Sequence, residues 1–355
     1  MTAKQLSIGL VFALALGGCG SSSSSSSSSS GGSTGSADSG AKLKVVFIPK
    51  NTGNPYFKPV IDGFQKEAGP ANIDFDSQAP ATAEPTSQLS TIKDQTQQGV
   101  DVIAISANSP DALNEALDTA HGKGITILTV DSDLTGNESH RDLGVLSTDF
   151  SKVGPSQLEL LGSEMNYQGD FAILSATTSA PNQNAWIAGI NDALKQPKYS
   201  KMKLLTIVYG DDEPQKSSTE MEGLLTKFPT MKGVISPTSV GLAAAAQVLE
   251  NSGQYPGGPN AKNGGIILTG LSTPNQMKKA VDKGVVAKFQ LWDPAAMGMI
   301  AAYVGAQIHN KKIEAKRGTT VDVPNVGKVT IQDKNVVFAG PILTFDKTNI
   351  AKYDF

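Results

Sequence analysis

Cysteine, histidine and long apolar runs are scarce in this 355-residue chain. A single cysteine, Cys19, leaves no intramolecular disulfide. His121, His140 and His309 are the only histidines, and they cluster neither with each other nor with the cysteine, so a metal enzyme is not expected. No Ser-His-Asp order stands out. After residue 19 no stretch is a membrane-spanning candidate. An excess of one charge sign is also lacking: 30 Lys and Arg face 33 Asp and Glu, a net charge of −3. No basic face or arginine-rich block points to nucleic acid. Neither a metal nor a cofactor is expected.

What is present begins with Lys4, the only charge before the apolar stretch Ile8 to Leu16. That stretch is too short to span a bilayer and has the length of a signal-peptide core. It runs into Leu16-Gly17-Gly18-Cys19, where small residues precede a cysteine in a pattern similar to a bacterial lipobox. Residues 1–18 therefore read as a lipoprotein signal peptide and Cys19 as its lipidation site. An acylated cysteine anchors a protein to a membrane without spanning it. Ser21–Ser30 and the GGSTGSADSG that follows hold nothing that builds a core. Residues 19–42 read as a Ser/Gly-rich tether. The expected location is extracytoplasmic, at the periplasm or the cell surface.

The body exceeds one typical domain, so two lobes are expected. Strand-like runs fall at 44–49, 101–107, 125–130, 143–147, 170–176, 203–209, 233–236, 265–271 and 286–292. Helical patterns lie near 55–68, 86–98, 110–123, 151–166, 184–195, 215–228, 241–252, 274–283 and 295–310. Ser109-Pro110-Asp111 and Thr273-Pro274 place proline at a first helical position. Gly99 and Gly124 fall where helices should stop. Strand alternating with helix implies parallel sheets covered on both faces. VDVIAIS and ITILTV are continuous apolar runs, as buried parallel strands should be. The pattern runs twice, predicting an α/β fold of two doubly wound lobes. Ligands of open α/β sheets bind outside the strand carboxyl ends, so two facing edges make a cleft.

The residues that follow each strand are therefore the candidates. VFIPKNTGNPYF delivers Lys50, Asn54, Tyr56 and Phe57 after the first strand. Ser106 ends the second, and Asp131 and Ser132 the third. In the second half Asn182, Gln183, Asn184 and Trp186 follow 170–176, and Tyr209 closes 203–209. Pro237, Thr238 and Ser239 follow 233–236, Ser272 follows 265–271, and Trp292 and Asp293 end 286–292. Amides, hydroxyls, a few carboxylates, one lysine and flat rings suit a neutral polyhydroxylated ligand. Blander roles exist for each: Asn54 as a helix cap, Phe57 as core, Trp292 as packing, 131–133 as a turn. Asp211 and Asp212 also follow 203–209, but Asp212, in YGDDE, is left out of the site as a carboxylate that could simply face solvent.

The blocks FIPK, NPYF, ISANSPDAL, VDSD, ILSAT, NQNAW, VYGDD, ISPTSVGLAAAA, GLSTPNQM, LWDPA and the terminal YDF occur in order over 43–355. Together they resemble the type I, ribose-binding-like sugar-binding proteins of ABC importers, and within them the rhamnose-binding branch. Related members bind the furanose signal autoinducer-2. The resemblance implies two Rossmann-like lobes joined by three crossings, near 147–150, 291–294 and the C-terminal tail. One lobe would take 43–147 and about 293–335, the other 148–292 and about 336–355. It implies a small sugar ligand, ABC permease subunits as partners, and a monomer. By motif it places Asn54 and Phe57 on the sugar and Asp131 on ring hydroxyls. Asn184 and Ser132 stand where such binders often carry arginine, which leaves Lys50 as the cationic donor. Lys50, Asp131, Gln183 and Pro237 match the autoinducer-2 pattern, while Asn182 and Ser239 depart from it, which favours a deoxyhexose.

Two rivals are weaker. Asp131 with Asp133, or Asp211 with Asp212 and Glu213, could form a glycosidase pair, but nothing in the sequence sets a catalytic separation. DSDLTGNESHRD, 131–142, echoes a calcium loop through Gly136, yet carries Thr135 and Asp142 where that loop prefers other residues. A DNA-binding repressor on this fold would need a headpiece where the serine tract stands.

Overall fold

The computed structural model describes residues 41–355, and Cys19 and the serine tract lie outside them. In chain order the strands are β1 (Leu43–Ile48), β2 (Ile73–Ser77), β3 (Val102–Ile105), β4 (Thr126–Val130), β5 (Leu143–Leu146), β6 (Gln168–Ser175), β7 (Lys201–Tyr209), β8 (Gly233–Ser236), β9 (Ile267–Gly270), β10 (Lys288–Leu291), β11 (Thr320–Val323), β12 (Gly327–Thr330), β13 (Val336–Phe338) and β14 (Leu343–Asp346). The helices are α1 (Phe57–Ala71), α2 (Pro85–Gln98), α3 (Asn114–His121), α4 (Phe150–Glu164), α5 (Pro181–Ala193), α6 (Pro214–Lys227), α7 (Ser239–Ser252), α8 (Pro274–Asp282) and α9 (Pro294–His309). Every expected helix and strand is present within a few residues.

One six-stranded parallel sheet has the order β13-β5-β4-β3-β1-β2, and a four-stranded parallel sheet has the order β7-β6-β8-β9. The central strands β3, β4, β5 and β8 are buried along their whole length, which is why apolar residues dominate them with no charged residue among them. Proline opens α2, α5, α6, α8 and α9, where a missing N–H costs nothing. Gly99 ends α2 in the left-handed region, as expected. α3 starts later than Pro110, because Ser109 first closes a turn: its hydroxyl accepts from Ala112 N at 3.1 Å and donates to Asp111 at 2.8 Å.

The chain passes between the two sheets three times. β5 leads to α4 through 147–149, β10 leads to α9 through 292–293, and β13 leads to β14 through 339–342. The third passage falls later than expected. β13 pairs in parallel with β5 of the six-stranded sheet, so 336–338 stay on that side, and only β14 crosses to pair antiparallel with β10.

Two helix seams place the cleft residues. α1 and α9 meet backbone to backbone: a Cβ on Gly63 would sit 2.1 Å from Ala295 O, and one on Gly298 2.0 Å from Val60 O. That contact brings Tyr56 and Phe57, at the start of α1, beside Trp292, just before α9. Gly154 does the same between α4 and α5, where a Cβ would lie 2.0 Å from Trp186 O.

Candidate ligand-binding site

Between the carboxyl edges of the two sheets lies a half-open cleft with about 340 Å³ of space between atoms, open solvent included. Its lining includes Lys50, Asn54, Tyr56, Phe57 and Asp131 from the first half of the chain. Asn182, Gln183, Trp186, Asp212, Pro237, Thr238, Ser239 and Trp292 complete the polar and aromatic wall, with Leu271 and Leu291 between them.

Asp131 is the hub. It directly follows β4 with φ +70°, a left-handed conformation that aspartate tolerates better than most residues. Oδ1 accepts from the Tyr56 hydroxyl at 2.7 Å, and that hydroxyl accepts from Trp292 Nε1 at 2.7 Å. Oδ2 accepts from Ser106 Oγ at 3.1 Å and, more weakly, from Asn182 Nδ2 at 3.3 Å. The Asn182 carbonyl accepts from Lys50 Nζ at 2.8 Å. Gln183 is braced from behind, its carbonyl accepting from Ser175 Oγ at 2.5 Å and Ala176 N at 2.8 Å. Asn54 Oδ1 accepts from Tyr56 N at 3.1 Å in the turn before α1, which itself starts without a side-chain cap, and Nδ2 donates to Asp212 at 3.5 Å.

Burial governs the charges. It pushes the Lys50 ammonium below its ordinary value, against the attraction of Asp131 and Asp212. It pushes both carboxyls up, against the pull of Lys50. Burial first and the Asp131 charge second hold the Tyr56 phenol well above its usual range. The lining thus carries two carboxyl groups to one amine, with amides, the Tyr56, Thr238 and Ser239 hydroxyls and indole rings around them. Such a surface offers acceptors and donors to hydroxyls and flat faces to ring carbons.

Several sequence candidates stand elsewhere. Ser106 lies behind Asp131 and reaches the cavity only through it. Ser132 is fully buried, and its hydroxyl has no partner among the described residues. Asn184 points outward from α5, its amide donating to Thr178 O at 2.9 Å, so it does not replace a ligand arginine. Tyr209 ends β7 half-buried, outside the lining. Ser272 donates to Gln276 at 3.0 Å. Asp293 is exposed and caps α9 through Ala295 N at 2.9 Å.

Asp212 is the main correction in the other direction. It is 2% exposed, accepts from the Thr238 hydroxyl, and faces the cavity, whereas its neighbour Asp211 pairs with Lys216 on the surface. Leu271 and Leu291 were not among the expected site residues, since an apolar residue at a strand end reads as core. The 131–142 loop spends Asp133 on Arg141. Among the described residues no group of three or more His, Cys, Asp or Glu is placed to hold a metal ion.

Comparison with known proteins agrees with this architecture. The family model described as periplasmic binding protein domain matches residues 45–313. The ribose import binding protein of Escherichia coli (strain K12) is 22% identical over 288 residues, covering 80% of this chain and 91% of that protein. A sugar ABC transporter structure from Actinomyces odontolyticus is 35% identical, with a TM-score of 0.69, covering 89% of this chain and 99% of that one. An ABC transporter solute-binding protein from Clostridium phytofermentas, solved with bound L-rhamnose, is 31% identical, with a TM-score of 0.82, covering 88% and 98%. With two parallel-sheet lobes, a cleft at their strand ends and a family match over most of its length, this chain belongs to the periplasmic binding proteins.

Proposed function

We propose that the protein is the extracytoplasmic solute-binding component of an ABC importer, and that it takes a monosaccharide, L-rhamnose or a related deoxyhexose, into the cleft for delivery to permease subunits. The observation that carries this reading is the cavity itself: Lys50, Asp131, Asp212 and the Asn182 amide buried together under Tyr56, Trp186 and Trp292. The rhamnose-bound relative supports the sugar class at 31% identity over nearly its full length. The role is binding and release, not turnover, and the three passages between the lobes serve as its hinge. Both walls come from one chain, so a monomer suffices.

A thermal-shift panel of L-rhamnose, L-mannose, D-ribose and D-arabinose tests the reading. A ligand at a hundred times its Kd adds about 2.7 kcal/mol to the folded state, so a binder raises the melting temperature visibly. The chain has two tryptophans and both line the cavity, so their emission should change with the same sugar. A panel in which no monosaccharide moves either signal would sink the proposal.

The membrane link rests on LGGC and the serine tract, with no membrane-length helix among the described residues. A diacylated Cys19 would hold the protein at a lipid surface. Cys19→Ala should move it from the membrane fraction to the soluble one. Unchanged sedimentation with membranes would remove the anchor from the reading.

A further inference from the structure

We infer that Arg141 is a positioning residue for the ligand site: through Asp133 it sets the loop that presents Asp131, and it ties that loop to the segment entering the third passage between the lobes. The inference rests on the monosaccharide reading above and adds a residue that touches no ligand.

The geometry is that of a clamp. Arg141 is one of two arginines in the chain, and its side chain is fully buried. Nε donates to Asp133 Oδ1 at 2.6 Å and Nη2 donates to Oδ2 at 2.7 Å, a two-pronged pair. Asp133 Oδ1 also accepts from Thr129 Oγ1 at 2.6 Å and Leu134 N at 2.9 Å, so it binds the strand before the loop to the chain after it. Asp131 lies between these ends at φ +70°. A non-glycine residue stays there only when its surroundings hold it. The remaining Arg141 nitrogen, Nη1, donates to Lys334 O at 3.0 Å and Asn335 O at 3.2 Å. Those two residues are themselves left-handed, at φ +58° and +51°, and lead directly into β13 and the 339–342 passage. One guanidinium therefore holds two strained backbone segments, one bearing the cavity aspartate and the other leading to a lobe crossing. Gly144 leaves the room: a Cβ there would lie 3.1 Å from Arg141 Cζ and Nη2.

The chain from clamp to reporter is continuous. Asp131 accepts from Tyr56, and Tyr56 accepts from Trp292. A shift of Asp131 should therefore reach a tryptophan even without sugar.

Arg141→Ala strands the buried Asp133 carboxylate and tests folding more than positioning. Arg141→Lys is the better variant, because it keeps the charge and loses the fork. Gly144→Ala is its complement, pressing on the guanidinium with no change of charge. Arg317→Lys, in an exposed pair with Asp333, is the control. Tryptophan emission without sugar and the Kd for L-rhamnose by calorimetry are measured on folded protein, well below the melting temperature. Both site variants should shift the emission and weaken the Kd by about fivefold to tenfold, the coupling expected within one hydrogen-bond network. The control should do neither. A purely structural Arg141 would lower the melting temperature in both variants and leave the wild-type Kd in place, which overturns the inference. If the wild-type protein binds no monosaccharide, the functional reading fails separately, and wild-type emission in both variants then overturns the positioning role on its own.

Discussion

Asp131→Ala is expected to weaken monosaccharide binding at least tenfold. The carboxylate is 3% exposed and sits at the end of a fully buried strand. A carboxylate has about four acceptor positions. Tyr56 and Ser106 occupy one each, and Asn182 holds a third at the long distance of 3.3 Å. One position is open to a sugar hydroxyl, and the Asn182 bond is weak enough to be exchanged for another. A hydrogen bond to a charged acceptor contributes about 1.5–3 kcal/mol, and 1.4 kcal/mol is one decade in Kd. Alanine also suits a positive φ poorly, so Asp131→Asn separates charge from backbone: asparagine tolerates that conformation and keeps the shape. Asp293→Ala is the control, since that carboxylate caps α9 in solvent and faces no cavity. Calorimetry with L-rhamnose decides the matter. Wild-type affinity in both Asp131 variants would place the ligand elsewhere.

Asp212→Asn is expected to change stability and affinity in opposite directions. Asp212 and Asp131 share one buried cation, Lys50, so one carboxylate is in excess. Asparagine removes that excess, keeps an acceptor for the Thr238 hydroxyl, and fits the left-handed backbone at φ +53°. The unliganded protein should gain about 1 kcal/mol, the order expected when a poorly compensated buried charge is removed. Binding should weaken about tenfold through loss of a charged acceptor.

The pH dependence follows from the directions of the shifts. A carboxyl raised on folding favours the folded state most when protonated, below its unfolded value, and that contribution is lost as pH rises through the folded value. The stability difference between Asp212→Asn and wild type should therefore be largest at neutral pH and shrink as pH falls into the acid range. Affinity of the wild type should fall over the same acid window, as its acceptors protonate. Lys50 acts in the other direction. Its lowered value adds stability only as pH rises through that value toward 10.5. Melting curves of the two proteins at several pH values test this. A constant difference across pH would show that Asp212 does not carry the excess charge.

The lobes were legible because their strands are buried on both faces. VVFI, VIAI, TILTV and LGVL have no polar face to confuse the period, and proline and glycine mark the helix ends between them. β2 escaped the same reading. It is an edge strand whose Asp74 and Asp76 alternate with Ile73 and Phe75, and five such residues suit a loop equally well. β11 to β14 are three or four residues each; β11 and β12 form a short local hairpin, while the strand character of β13 and β14 comes from distant partners, β5 and β10. For that reason the third passage came later than expected.

In the site, the residue types and their strand-end positions were a property of the sequence. Lys50, Asn54, Tyr56, Phe57 and Asp131 had to lie together, because each follows a strand of the same parallel sheet and strand ends share an edge. Direction is different. Asp211 and Asp212 are adjacent, both with φ +53°, yet one meets Lys216 in solvent and the other faces the cavity. Asn184 and Trp186 share α5, and only the tryptophan turns inward. Asp131 and Asp133 are two apart, and one faces the cavity while the other is held by Arg141. Local sequence cannot choose between such neighbours. The choice depends on which side chain finds a buried partner: Lys50 and Thr238 are brought to Asp131 and Asp212 by separate strand–helix units, while Arg141 folds back onto Asp133 within its own loop.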